Sequence, residues 1–341
     1  MDSTIQGIDS GPVLCNQNFT TFGVRGRNMP VERPLTRRDA LAISTAAAVA
    51  AAGQSQASST AEEYPWIDAH SHIWTPDTIV FKLAPGLTAA DLAPASFTDD
   101  ELMAVARPHG VGRVVLIQHT AFHGFDNSYL TDAWERHPDR FRVVGMVDDL
   151  RPNCGKAMKQ LLRRGVTGFR ITPRKGIKEW LQTDGMKEMW ATAADTRQSM
   201  CCLIDPDQLP AVDAACERYP ETSVVLDHFA RIGVDGTVRD ADVANLCRLA
   251  RHQHTKVKIS AYYALGKKRP PHHDLIPMIR RLYETFGPDR LMWASDCPYQ
   301  LTGSNTYGSS ILLVKEGLDF VNSDDRRKLL RTTAEQTFFD A

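Results

Sequence analysis

The sequence predicts an α/β chain folded as a (β/α)8 TIM barrel, and three observations carry that prediction. Eight short apolar runs lie between residues 66 and 294, and near-continuous apolar runs are what strands buried on both faces look like. Segments of helical period, with recognisable start signals, separate them. The Gly-rich phosphate turn that a doubly wound open sheet wants after its first strand is missing. Eight strands, each followed by a helix, is the count of a closed barrel, which has no exposed sheet edge to protect.

Along the chain, the first run, Trp66–Ile73, precedes a helix opened by Thr98-Asp99-Asp100-Glu101, where acids suit the helix N-terminus. Arg113–Gln118 leads to a helix over Asn127–Arg136, Phe141–Val147 to Cys154–Arg164, and Gly168–Ile171 to Gly185–Arg197. Met200–Ile204 leads to Leu209–Arg218, Ser223–Leu226 to Asp240–Arg251, Thr255–Ile259 to Asp274–Phe286, and Leu291–Ala294 to Asp324–Glu335. Several of these helices end in Arg-Gly, His-Pro or Tyr-Pro, which break them.

A hydrophobic content of 43% with 24% charged residues excludes a disordered chain. Forty Lys and Arg against 41 Asp and Glu leave no basic excess, which argues against a nucleic-acid partner. The seven cysteines form no CxxC pair, so a disulfide scaffold and a zinc ribbon are both disfavoured. Any metal would be held by histidines and carboxylates. The expected partner is a small-molecule substrate, with no stable membrane span and the oligomeric state left open.

The N-terminal segment stands apart. Thr36-Arg37-Arg38-Asp39 puts a twin arginine directly before the Ala-rich run from Ala40 to Ala52. That run is about half the ~20 apolar residues of a membrane span, and Ser55-Gln56-Ala57 then offers a small-x-Ala cleavage site. Residues 1–57 are therefore expected to be an export leader of the twin-arginine type, directing the chain to the periplasm, with residues 62–341 as the barrel domain. A disordered tail, or a helix packed on the domain, is the competing reading. Residues 1–28 are long for a charged leader region, and Met29 is an alternative start.

In such barrels the reactive groups lie at the C-terminal ends of the strands. The first run reads Ile67-Asp68-Ala69-His70-Ser71-His72, and residues two apart on a strand share a face, so His70 and His72 can converge on one atom. Strand six exits through Asp227-His228-Phe229-Ala230-Arg231, and strand eight through Ser295-Asp296-Cys297-Pro298. Three imidazoles and a carboxylate suit two routes to hydrolysis of an activated carbonyl. They can bind Zn²⁺ or Mn²⁺ and acidify its water; without a metal, imidazoles can polarise the carbonyl while the carboxylate takes a proton from water. The cofactor is accordingly expected to be none or one divalent metal, held by His70, His72 and Asp296. No GxSxG elbow supports a serine nucleophile.

These segments, with Val115-Leu116-Ile117-Gln118, Gly168-Phe169-Arg170, Val257-Lys258-Ile259-Ser260 and Phe286-Gly287-Pro288-Asp289-Arg290, resemble the amidohydrolase-related family of the amidohydrolase superfamily. The resemblance runs from about Trp66 to Phe339. Within the family the chain is most similar to the lactonase branch, partly through Gln118-His119-Thr120 and His123-Gly124-Phe125-Asp126-Asn127. The resemblance implies that His70, His72 and His228 polarise a lactone carbonyl, that Asp296 activates water, and that Arg170 and Arg231 grip a substrate carboxylate. It also implies alternatives: a metal-dependent amidohydrolase or decarboxylase of the same group. A barrel that binds a small ligand without turnover is a third reading.

The chain departs from the family pattern in places. Metal-dependent relatives carry a histidine at the exit of strand five, where this chain has Leu203-Ile204-Asp205-Pro206; Asp205 could serve as a ligand or as a turn residue. Thr167 and the pair Tyr262-Tyr263 stand where further arginines would be expected. His272 and His273, in a proline-containing basic loop, are expected to be exposed, and Cys297 to be a packing residue. If the leader is cut after Ala57, N-terminal sequencing of the exported protein will begin near Ser58. Recovery of the uncut chain from the cytoplasm would refute it.

Overall fold

The computed structural model describes residues 63–340. The expected leader and the alternative start at Met29 lie outside the described residues. Eight strands form one sheet in sequence order: β1 (Trp66–Ser71), β2 (Val111–Ile117), β3 (Phe141–Gly145), β4 (Val166–Ile171), β5 (Ser199–Cys202), β6 (Val224–Leu226), β7 (Thr255–Ile259) and β8 (Leu291–Trp293). Every neighbouring pair is parallel. The ends of β8 and β1 meet where Asp296 N–H donates to His70 O (2.8 Å) and His72 N–H to Cys297 O (2.7 Å). The architecture is the (β/α)8 TIM barrel.

Two apolar layers follow from strand alternation. Ile67, Ala69, Val115, Ile117, Val144, Cys201, Val225 and Met292 fill the barrel interior, and Phe338 near the C-terminus joins them. The opposite strand faces, with residues such as Val114, Phe169 and Ile259, pack against the helices together with Leu130, Met189 and Leu282. Cationic and anionic residues interrupt the inner layer towards the C-terminal ends of the strands, at Arg170 on β4, Asp227 after β6 and Lys258 on β7, and all three are buried.

β1 contains an extra residue. It advances from Asp68 to Ser71 while β2 advances only from Val114 to Leu116, which is a β-bulge that re-aims the strand. Ala69 therefore packs in the inner apolar cluster while its neighbour His70 also reaches the barrel axis.

The buried carboxylate of Asp68 ties the seam. Its Oδ1 accepts from the backbone N–H groups of His70 (3.1 Å) and Ser295 (2.9 Å). Its Oδ2 accepts from the hydroxyls of Ser71 (2.8 Å), Ser295 (2.5 Å) and Tyr307 (2.8 Å).

Strand order and most helices are as the sequence predicts, with informative exceptions. The expected strands Trp66–Ile73, Phe141–Val147 and Met200–Ile204 each end two residues early, because their ends leave the sheet to form the mouth. The helix expected over Asp324–Glu335 is instead Ser323–Arg327 continued by wider turns over Lys328–Thr332. A further helix, Tyr307–Leu312, follows β8 and brings Tyr307 to the seam. His272 corrects its expectation: it is 1% exposed, beside the Tyr262 ring, whereas His273 is exposed. The left-handed backbone at His272 (φ 60°) turns its side chain under the loop.

Replacing Asp68 with Ala would strand the hydroxyls and N–H groups that it now satisfies. The cost expected is about 2–4 kcal/mol, read as a lower denaturant midpoint; an unchanged midpoint would remove the seam from the account of stability.

Candidate active site

The exits of β1, β6 and β8 bring His70, His72, His228 and Asp296 together, all at most 5% exposed. His70 Nε2 lies 3.5 Å and His72 Nε2 3.3 Å from Asp296 Oδ1, and His228 Nε2 lies 3.8 Å from Oδ2. The backbone is bent to do this. Asp296 has φ 62°, and His228, Phe229, Ala230 and Arg231 have φ values of 53°, 54°, 52° and 57°. A left-handed residue other than glycine costs about 1–2 kcal/mol, so four in succession mark a strained turn held by its surroundings. All of Asp227, His228, Phe229 and Ala230 are buried, which supplies that hold.

The hydrogen bonds fix the tautomers of His72 and His228. His72 Nδ1 sits 2.8 Å from the carbonyl of Ile117, which can only accept, so the neutral ring carries its proton there. Ser260 Oγ donates to Lys258 O (3.5 Å) and therefore accepts from His228 Nδ1 at 2.7 Å. Donors face both ring nitrogens of His70, Arg170 Nη2 at Nε2 (2.9 Å) and Lys258 Nζ at Nδ1 (3.2 Å), and Asp227 Oδ1 lies 3.5 Å from Nδ1. His72 and His228 thus present Nε2 lone pairs towards Asp296, while His70 Nε2 faces the Arg170 guanidinium. Asp296 Oδ2 accepts from the Tyr263 hydroxyl at 2.9 Å, while the buried Oδ1 has no hydrogen-bond partner.

Charge and burial set the protonation. Burial keeps His70 well below the ordinary imidazole value, and the Lys258 ammonium adds to the effect. Burial and then the Arg170 guanidinium do the same for His72, and burial pushes His228 down to about 4. Burial raises the Asp296 carboxyl above its usual value, against the lowering influence of His228 and Arg170. At Asp227 burial also opposes ionisation, but Lys258 (3.1 Å), His70 and Arg170 (3.5 Å) outweigh it and hold that carboxyl well below the usual range.

The donor set fits a divalent cation. Ligand atoms of His70, His228 and Asp296 all lie within 4.8 Å of one another, and imidazole nitrogen with carboxylate oxygen suits zinc or manganese. The unpartnered Asp296 Oδ1 is the orphaned atom such an ion would satisfy. In this group His228 takes the place expected for His72, which stays beside Asp296 Oδ1. Asp205 is not among these groups. It is half exposed and pairs with Arg231 at 3.0 Å, so Arg231, also partly exposed, closes a rim contact between the β5 and β6 exits instead of entering the cluster. Arg170 is inside it.

Other residues of the cluster are given no chemical role by the sequence. Lys258 interrupts a buried apolar strand, and that interruption is a readable signal. Tyr263, Ser260 and Tyr299 carry none. Tyr299 shares a 3.0 Å hydrogen bond with His119 Nε2, and the His119 ring lies 4.5 Å from that of His72, which makes His119 a wall of the site. His123 turns away, its Nδ1 bonded to Lys82 O at 3.1 Å. Cys297 is buried and its thiol is pushed well up by that burial, in keeping with packing.

A barrel with histidines at the exits of strands one and six and an aspartate after strand eight defines a class of hydrolases. The sequence pattern of the amidohydrolase family matches residues 67–339, and the chain belongs to that family. It is 29% identical over 236 residues to a 4-sulfomuconolactone hydrolase of Rhizobium radiobacter, covering 68% of this chain and 75% of that one. It is 26% identical over 273 residues to an L-fucono-1,5-lactonase of Burkholderia ambifaria, covering 77% and 91%. A zinc-bound amidohydrolase from Burkholderia multivorans shares the fold, with a TM-score of 0.69 at 22% identity over 80% of this chain and 99% of that one. The protein is a hydrolase. Among the described residues no helix is long and apolar enough to cross a membrane.

Because the folded values lie below the ordinary 6.5, the three imidazoles stay neutral as pH falls through that value. A ¹H–¹⁵N NMR titration of metal-free protein will show His72 and His228 as Nδ1–H tautomers, and His70, His72 and His228 all without a transition near 6.5. A transition there for any of the three would contradict the assignment.

Proposed function

We propose that the protein hydrolyses a cyclic ester, a lactone, and that Asp296 takes the proton from the attacking water. One observation carries this reading: Asp296 Oδ1 is buried, lacks a hydrogen-bond partner, and faces the Nε2 lone pair of His72 at 3.3 Å. Acceptors facing acceptors need an electropositive occupant, and the hydrogens of a water molecule supply it. The two curated relatives named above are lactone hydrolases, which supports the choice of substrate class.

In this scheme Asp296 Oδ1 and the Nε2 lone pair of His72 take the two hydrogens of the water, and the Tyr263 hydroxyl holds Asp296 Oδ2 so that Oδ1 is the base. Water adds to the acyl carbon and gives its proton to Asp296. The tetrahedral carbon then expels the ring oxygen, which recovers that proton, and an open-chain hydroxy acid remains. A divalent cation held by His70, His228 and Asp296 would, when bound, polarise the acyl oxygen and acidify water. His72 and His228, protonated at Nδ1, cannot donate from Nε2, and the donor for the acyl oxygen in this scheme is Arg170. That side chain borders a cavity of about 250 Å³ at the exits of β2, β3 and β4, and its Nε has no partner. Arg231, already paired with Asp205, would meet only the outer part of a substrate. The proposed leader would place the activity in the periplasm.

Replacing Asp296 with Asn keeps the shape and removes the base. On any lactone found active in a panel read by acid release, turnover should fall about 10²–10⁴-fold, with the circular dichroism spectrum unchanged. Near-normal turnover by that variant would assign proton transfer elsewhere, and a panel with no active lactone would remove the substrate class.

A further inference from the structure

We infer that the Arg170 guanidinium and a divalent cation compete for one lone pair, that of His70 Nε2, so that Arg170 sets how tightly this protein holds a metal. Arg170 Nη2 sits 2.9 Å from that nitrogen, and the same nitrogen belongs to the only described group of side chains spaced to hold an ion, His70, His228 and Asp296. A nitrogen with one lone pair cannot serve both.

Charge points the same way. The buried cluster holds two cations, Arg170 and Lys258, against two carboxylates, Asp227 and Asp296, and its imidazoles are neutral. It is balanced as it stands. A doubly charged ion added beside an unmoved guanidinium would bring like charges within a few ångströms in a poorly screened interior.

Arg170 also has somewhere to go. It lines the cavity of about 250 Å³ at the exits of β2–β4, together with Met146, Thr172, Met189 and Asp149, whose carboxylate already pairs with Arg174 of the same cavity. Its Nε, buried and without a partner, is not tied to the inward position. Two arrangements follow. In one the guanidinium lies on His70; in the other it lies in the cavity and the three ligands are open to an ion. Asp227 keeps Lys258 at 3.1 Å in both, so removal of the guanidinium does not leave that carboxylate alone.

The test is zinc binding by the full chain after chelator treatment, measured by competition with a fluorescent chelator. Arg170→Met should bind zinc at least about tenfold more tightly than the unaltered protein. A crystal structure of the unaltered protein loaded with zinc should show the guanidinium off His70 Nε2 and in the cavity. The inference is overturned if a folded Arg170→Met binds zinc no more tightly, or if the guanidinium remains on His70 with zinc bound there. Should that variant fail to fold, the zinc-loaded structure decides alone. No turnover is read, so this result is separate from the fate of the lactone proposal.

Discussion

The carboxylate of Asp68 closes the barrel and assembles the site in one act. Its Oδ1 holds the N–H groups of His70 and Ser295 together, and these belong to the two strand ends that meet at the seam. His70 supplies an imidazole to the cluster, and Ser295 precedes the aspartate that the imidazoles face. A carboxylate buried this deeply is costly unless its lone pairs are satisfied. Five donors do so, three of them hydroxyls from β1, the β8 exit and the following helix. The position of Asp296 relative to His70 is therefore fixed by backbone hydrogen bonds on one side of the strands while the reactive groups look out on the other.

Around this seam the electrostatics are arranged in pairs. Lys258 and Arg170 hold Asp227 ionised, and both cations also reach the His70 ring, Lys258 at Nδ1 and Arg170 at Nε2. The chain of influence runs from β7 through the β6 exit to β1, and every member is buried, so water screens none of it strongly. Tyr263 plays the matching part at Asp296 by occupying one carboxylate oxygen and leaving the other free. Neutral imidazoles next to a free carboxylate oxygen form a site defined by lone pairs, and such a site takes up protons, water or a cation.

Much of this was legible in the sequence, for physical reasons. A strand buried on both faces must be apolar, so eight runs announced eight strands, and a histidine pair breaking the first run announced the mouth. Strand ends were overestimated at Ile73, Val147 and Ile204 because apolar residues continue past the last ladder bond into packed loops. The β1 bulge was invisible, since period-two reasoning assumes an uninterrupted ladder. His70 and His72 do converge, but on a strand that has been re-phased. Lys258 could have been found from its mismatch with a buried strand. Tyr263 and Ser260 could not, because a tyrosine or serine after a strand is equally at home in a turn. Arg231 follows His228 by three residues, yet the left-handed turn sends its side chain to Asp205 at the rim. His272 was misjudged from loop composition, which says nothing about which way a loop folds back.

The left-handed turn at His228–Arg231 has a consequence for how this surface can vary. Each of the four residues sits where a β-branched side chain would clash with its own backbone, so valine, isoleucine and threonine are barred from the whole segment. Glycine is the sterically easy choice at each position, but it would enlarge the number of shapes open to the unfolded segment and loosen the aim of the imidazole. Random mutagenesis of the barrel mouth should therefore leave this stretch almost untouched. New specificities on this scaffold would be found by altering the far wall of the pocket, with the β6 exit kept as a fixed bearing.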